Sequence, residues 1–386
     1  MEPEIQPQPS ELPPAESAAN AVPTTQALFC NTHQQDHHPL RWILIGNQGL
    51  RAGWSAVLFI ILTILLTMAL GSAASLVFKH VAHVKAGEFT PATVILQESI
   101  TVLAILGAGA FLAFVEGRRI VDYNLRGAHR IRHFLGGMAA GFAALSALVG
   151  ALAWGGWLHF GAVTLSGRMI FGYALLWGVA FLGTGLFEEG SFRCYLLSTL
   201  TRGINFWWAS GTVALCCLDL MLRVKGNGVW GVYAAALLGV SPCLVLHMKR
   251  NPGSGFWMAA WVTSTLFGFL HTTNNGENWI GIFAAAAIGF AFCVSVRLTG
   301  SAWWAIGCHA AWDWAESFFY GTADSGMQAK GHFLSSAPAG NALWSGGTDG
   351  PEGSLLVLGI IALLLVALVV MYGGKATGVA TEQIAG

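Results

Sequence analysis

The stretch WSAVLFIILTILLTMALGSAASLVF, residues 54–78, decides the fold, because it holds no charged residue at all. An apolar run of 18 or more residues is long enough to cross the roughly 30 Å hydrocarbon core of a bilayer as a helix. One such run could be the core helix of a soluble protein. Here it has companions: LLVLGIIALLLVALVVMY (355–372) and residues 134–158 are also uncharged. Composition leads to the same place. Hydrophobic residues make up 55% of 386 and charged residues only 10%, with a mean hydropathy of +0.60. Soluble domains carry about 25% charged residues, and so few charges cannot cover a water-facing surface. The expected fold class is therefore all-α, a polytopic transmembrane helical bundle with about ten membrane helices.

Apolar segments place those helices near 54–78, 93–115, 134–158, 169–190, 206–222, 228–247, 256–272, 279–297, 301–320 and 354–373. Residues 1–38 are a different material, rich in Pro, Glu, Gln, Ala and Ser, and read as a disordered cytoplasmic tail. They lack the basic stretch followed by an apolar core that marks a signal peptide. The rest divides into N-terminal transmembrane helices (39–164), a core bearing polar motifs (165–320), and an outer loop, last membrane helix and tail (321–386). Within the core, Gly203-Ile204-Asn205-Phe206-Trp207 is echoed by Gly255-Phe256-Trp257. The two apolar stretches between them form a helical hairpin, about 206–255. A hairpin crosses twice and returns the chain to the same side, so its insertion leaves the following topology unchanged.

Net charge is zero, which excludes the basic field a nucleic-acid partner needs. The lipid bilayer is the expected surrounding. Arg118, Arg119, Arg126, Arg130 and Arg132 crowd one short connection, which the positive-inside rule assigns to the cytoplasm. Both termini, Arg202 and the Lys249-Arg250 pair then share that side, with loops 274–278 and 321–353 outside. Lys79 and Lys85 run against this bookkeeping. The localisation read from it is a multi-pass protein of the cytoplasmic membrane. The seven cysteines are scattered without a CxxC or disulfide pattern; Cys216-Cys217 reads as packing. His33, His37 and His38 read as a solvated cluster in the tail. Trp54, Trp207, Trp208, Trp257, Trp261, Trp303 and Trp304 lie near expected helix ends and read as an interfacial belt. Gly137 and Gly141 are spaced for close helix contact.

Charges inside a bilayer cost several kcal/mol and mark function by default. In Phe187-Glu188-Glu189-Gly190-Ser191-Phe192-Arg193, Glu189 and Arg193 stand one turn apart in the favourable order for an ion pair. That pairing leaves Glu188 as the unpaired carboxylate, suited to a general base or proton shuttle. His271 follows Phe267-Gly268-Phe269-Leu270. His309 and Asp313 share a helix face, a spacing that fits two metal ligands or an imidazole oriented by its own carboxylate. Glu188 precedes Phe206 by 18 residues and His271 follows Phe256 by 15. Antiparallel helices turning at one level would bring the two to similar depth, within about 4–5 Å at the helical rise. Glu98 and Asp219, also in apolar segments, read as structural hydrogen-bonding groups.

EExxxR, FxxxH and HxxxD in that order resemble the CPBP family of intramembrane proteases, which groups CAAX prenyl endopeptidases with Abi-like bacteriocin self-immunity proteins. The resemblance covers about residues 165–320. It departs from the pattern in the long separation of Arg193 from His271, which the inserted hairpin accounts for, and in Asp313, where relatives carry Asn. It implies a peptide hydrolase acting on a peptide or protein substrate, prenylated CAAX-type proteins being one option. Glu188 would activate water and His271 would assist it or hold a metal. His309 and Asp313 would stabilise the oxyanion or complete the metal site, and Glu189 with Arg193 would lock the first helix. Two chemistries stay open: zinc held by His271, His309 and either Asp313 or Glu189, since a catalytic zinc takes three protein ligands, or a metal-free glutamate mechanism. HExxH, GxSxG and GxGD are absent. Two rival readings keep the same polar residues: a transporter or channel with a proton relay, which predicts inverted repeats that the sequence lacks, and an inactive immunity or scaffold protein.

Overall fold

The computed structural model describes residues 44–46, 49–78, 88–223, 229–249, 253–274 and 276–382. The tail 1–38 with its histidines, Lys79, Lys85, Cys30, Arg250 and residues 224–228 lie outside the described residues. Every apolar segment expected to be helical is helical. The helices are α1 (Ala52–Phe78), α2 (Pro91–Val115), α3 (Arg130–Trp154), α4 (Arg168–Glu189), α5 (Phe206–Arg223), α6 (Val229–Lys249), α7 (Ser254–His271), α8 (Trp279–Thr299), α9 (Trp303–Asp313) and α10 (Leu355–Glu382). Their ends follow local chemistry. Thr90 caps α2 by accepting from the Thr93 amide, with Pro91 in the first turn, where a missing N–H costs nothing. Asn278 caps α8 by accepting from the amides of Ile280 and Gly281, and Gly300 ends it in the left-handed region.

Among the described residues, six helical stretches are long and apolar enough to cross a membrane: Ala52–Val77, Pro91–Val115, Arg130–Trp154, Arg168–Thr201, Trp279–Thr299 and Leu355–Gly374. Helices α5 and α6 supply only shorter apolar runs, pack on each other and lie against α7. The membrane-facing surface is where the sequence places its bulk: Leu65, Met68, Phe171, Leu363 and Val370 are exposed on α1, α4 and α10. Such apolar exposure suits lipid rather than water.

Helix α9 is the axis of the bundle. It is buried almost all round, packs against α3 and α4, and leaves α8 to pair with α7 and α10. The α3–α9 crossing brings backbone to backbone. A Cβ on Gly137 would overlap the Trp304 carbonyl oxygen, and one on Gly141 would overlap that of Cys308. The small-residue spacing read from the sequence is thus the contact that seats α9.

The bundle has two distinct ends. At one, the Ala302 amide donates to the Asn124 carbonyl (2.8 Å) and the Trp303 indole N–H to that of Leu125 (3.0 Å), tying the arginine-rich connection to the α8–α9 turn. At the other, β1 (Leu158–Val163) pairs antiparallel with β2 (Leu334–Pro338). No pattern in either segment announced this ribbon, because its partners lie far apart in sequence and its strands are short. Of the tryptophans expected in an interfacial belt, Trp54, Trp207 and Trp208 are exposed, whereas Trp304 is fully buried in the α3–α9 contact. Cys216 packs as a buried hydrophobe, and the Cys217 sulfur fills the space over Gly239 of α6.

Candidate active site

Glu188 and Glu189 are the last residues of α4. Beyond them the chain widens into a π-helical turn, Gly190–Leu196, before a final α turn, Leu197–Thr201. A second π-helical turn, Trp314–Tyr320, follows Asp313 directly. Such turns free backbone groups from the regular ladder and recur at functional sites. Here the Asn124 side-chain amide donates to the Arg193 carbonyl (2.7 Å), meeting one of those freed acceptors.

The expected Glu189–Arg193 pair forms and is fully buried. Arg193 Nη1 donates to Glu189 Oε1 at 3.2 Å, and Nε stands 3.2 Å from Oε2. Three aromatic rings enclose the guanidinium: Phe267 at 4.3 Å from its centroid, Phe292 at 5.5 Å and Phe192 at 5.6 Å. Gly289 of α8 leaves room for Nη2, which a Cβ there would overlap. The phenylalanine of FxxxH therefore roofs the arginine of EExxxR. Its carbonyl also accepts from His271 Nδ1 at 2.8 Å. A carbonyl can only accept, so Nδ1 carries a proton, and in the neutral ring Nε2 is the acceptor.

His309 links the motifs. Its Nδ1–H donates to Glu189 Oε1 (2.9 Å), and its Nε2 faces Glu188 Oε2 and Asp313 Oδ2, each at 3.6 Å. Those two separations exceed a direct hydrogen bond. The ring stacks on Phe292, with centroids 5.8 Å apart. Glu188 is the uncommitted carboxylate, as its partner's engagement with Arg193 implied: Oε2 is buried with no hydrogen-bond partner among the described residues.

Glu188, His271, His309 and Asp313 all line one cavity of about 370 Å³. Glu189 and Arg193 stand behind it, buried, rather than in its wall. The cavity lies toward the β1–β2 end: Phe89, Asn274, Asp324 and Glu352 also line it. Four of its acids were not among the candidate site residues: Glu88, paired with Lys330, and Glu98, Asp324 and Glu352. Glu98 of α2, expected to be structural, is in the wall, 7% exposed, and accepts from the Thr101 hydroxyl at 3.0 Å. A charge within an apolar span was the signal that could have found it. Asp324 and Glu352 come from the acidic 321–353 loop, where nothing in the sequence distinguishes cavity-lining carboxylates from solvated ones. Burial pushes the Asp324 carboxyl above its usual range. It does the same, more strongly, to Glu352, with repulsion from Asp324 adding to the effect.

Among the described residues no three His, Cys, Asp or Glu side chains gather so as to hold a metal ion. The Nδ1 atoms of His271 and His309 are engaged by Phe267 and Glu189, which leaves Nε2 as the ring nitrogen that could bind a ligand.

Residues 243–315 match the family model of the type II CAAX prenyl endopeptidase Rce1-like proteins. That match supports the CPBP/CAAX protease family for this chain. It spans α7 to α9, and with them FxxxH and HxxxD; EExxxR lies before it. In general terms it supports an intramembrane endopeptidase, in agreement with the helical membrane bundle. No curated protein and no solved structure matches the chain.

Proposed function

We propose that the chain hydrolyses a peptide bond at or within the membrane, with Glu188 activating the water. The carrying observation is the division of labour between adjacent glutamates: Arg193 and His309 occupy Glu189, while Glu188 faces the cavity with an unpartnered oxygen. Glu188 takes a proton from water as the hydroxide oxygen attacks the scissile carbonyl, then delivers that proton to the leaving amine. His309 has carboxylates facing both ring nitrogens, an arrangement that favours protons on both and an Nε2–H aimed at the developing oxyanion. Asp313 orients that ring, and His271, fixed as the Nδ1–H tautomer, offers Nε2 to the same water or to substrate. None of these steps requires a metal, and a chelator arm in the assay decides whether one takes part.

The same reading bears on orientation. With the arginine-rich connection in the cytoplasm, the cavity opens toward the opposite side, so substrate enters there or laterally rather than from the cytoplasm. A prenylated CAAX-type protein remains one substrate option, and the 206–255 hairpin remains an insertion in our reading.

The test is cleavage of prenylated and unprenylated fluorogenic peptides by purified protein, with Glu188→Ala and His271→Ala beside wild type, each with and without chelator. Loss of cleavage in both variants, with unchanged melting temperature, is the expected result. Cleavage that survives Glu188→Ala would sink the mechanism.

A further inference from the structure

The cavity wall holds more carboxyl groups than the hydrolytic step uses. Besides Glu188 and Asp313 it carries Glu98 from α2, Asp324 from the loop after α9, and Glu352 from the turn before α10. The cations in or near the wall do not balance them. Among the described residues no lysine or arginine lines the cavity. Arg193 is committed to Glu189, and at the rim Lys330 is spent on Glu88 (2.9 Å). His271 and His309 are the wall's titratable nitrogens.

Two of these carboxylates are more than nine-tenths buried, yet both retain unmet acceptor capacity. Glu98 is 7% exposed, and its Oε1 has no hydrogen-bond donor among the described residues. Asp313 is 8% exposed, and among the described residues only His309 Nε2 faces it, at 3.6 Å. Glu352 accepts from the Trp312 indole (2.7 Å) and Asp324 from the Ser317 hydroxyl (2.8 Å). These two neutral donors hold the carboxylates in place without cancelling their charge. Carboxylates buried without cations are costly to a fold unless a charged partner arrives.

We infer that this wall is a subsite for a basic group, so that the substrate is a peptide bearing an arginine or lysine side chain close to the scissile bond. The inference rests on the peptidase reading of the same cavity. Glu98, Asp324 and Glu352 come from three different elements, so a cationic side chain beside Glu188 can reach carboxylates on several sides. Burial raises the Asp324 and Glu352 carboxyls, and a cation arriving beside them favours their ionised forms.

The experiment uses full-length protein in nanodiscs of zwitterionic lipid, with empty nanodiscs as background. Fluorescent peptides differ only in one residue, Arg, citrulline or Glu, and carry N-methylated backbones that resist cleavage. Binding is read by polarisation at two salt concentrations. The Arg peptide is expected to bind about tenfold or more tightly than the citrulline peptide, the size of one charge-assisted hydrogen bond. Glu98→Gln and Glu352→Gln should each narrow that ratio, and Glu352→Lys should favour the Glu peptide. Equal binding of the three peptides by wild type overturns the inference. Cleavable versions separate the two claims. An Arg preference in binding with no cleavage by wild type, or with cleavage that Glu188→Ala leaves intact, would count against the peptidase reading alone. Cleavage abolished by Glu188→Ala but indifferent to charge would remove the basic subsite alone.

Discussion

Arg193 shows how one side chain can hold a site together without entering it. It is fully buried, ion-paired with Glu189, enclosed by Phe192, Phe267 and Phe292, and given room by Gly289. Removing one partner of a buried pair strands the other charge, at a cost of about 3–5 kcal/mol. Arg193→Ala should therefore lower the melting temperature in detergent markedly. Arg193→Lys should recover only part of the loss, because an ammonium cannot present the planar fork that faces both oxygens of Glu189. A melting curve unchanged by Arg193→Ala would show that the pair does not hold the motif helices together. Glu188, one residue earlier, should behave in the opposite way: Glu188→Gln should keep the fold and lose the reaction.

The α3–α9 crossing turns a sequence spacing into site geometry. Gly137 and Gly141 allow the two backbones to touch, and the residue after Cys308 in that contact is His309. Gly141→Val would force the helices apart against the Cys308 carbonyl, and overpacking of this kind costs about 1–3 kcal/mol. The expected outcome is a lower melting temperature together with a loss of cleavage, since His309 moves with its helix. Gly150, on the same helix, has open space where a Cβ would stand, so Gly150→Ala should leave both readouts unchanged or slightly raise stability. If both variants behave alike in paired thermal and kinetic assays, the crossing does not position His309.

Across the whole molecule, the end that carries the cavity is stapled by acids. The carboxylates of Glu277 and Asp349 both close over Gly281 at the start of α8, where a Cβ would overlap them. Asp349 Oδ2 also accepts from the Asn278 amide at 3.3 Å. Burial, then mutual repulsion, pushes Glu277 up to about 8, and burial pushes Asp349 up to about 7. Carboxyls raised above their unfolded values of about 4 bind more protons in the fold than out of it. Their stabilising contribution is therefore complete below about pH 4 and lost as pH rises through 7 to 8. Hydrogen exchange, corrected for its intrinsic pH dependence, should show segments 276–281 and 346–353 better protected at pH 5 than at pH 8. Glu277→Gln should flatten that difference, and equal protection in wild type at both values would refute the pairing.

The membrane bundle, its apolar helices and the Glu189–Arg193 pair were legible along the chain, because each rests on residues within a turn or on the solvent a whole segment prefers. The motif residues were legible too, since a charge within an apolar run stands out against its neighbours. Only the tertiary structure decided which of them share a cavity, that Glu98, Asp324 and Glu352 join them, that Trp304 is core rather than belt, and that a β ribbon joins residues 158–163 to 334–338. Those outcomes depend on contacts between elements far apart in sequence. A cavity wall is set by how helices cross and where loops fold back, and local preference carries no record of either.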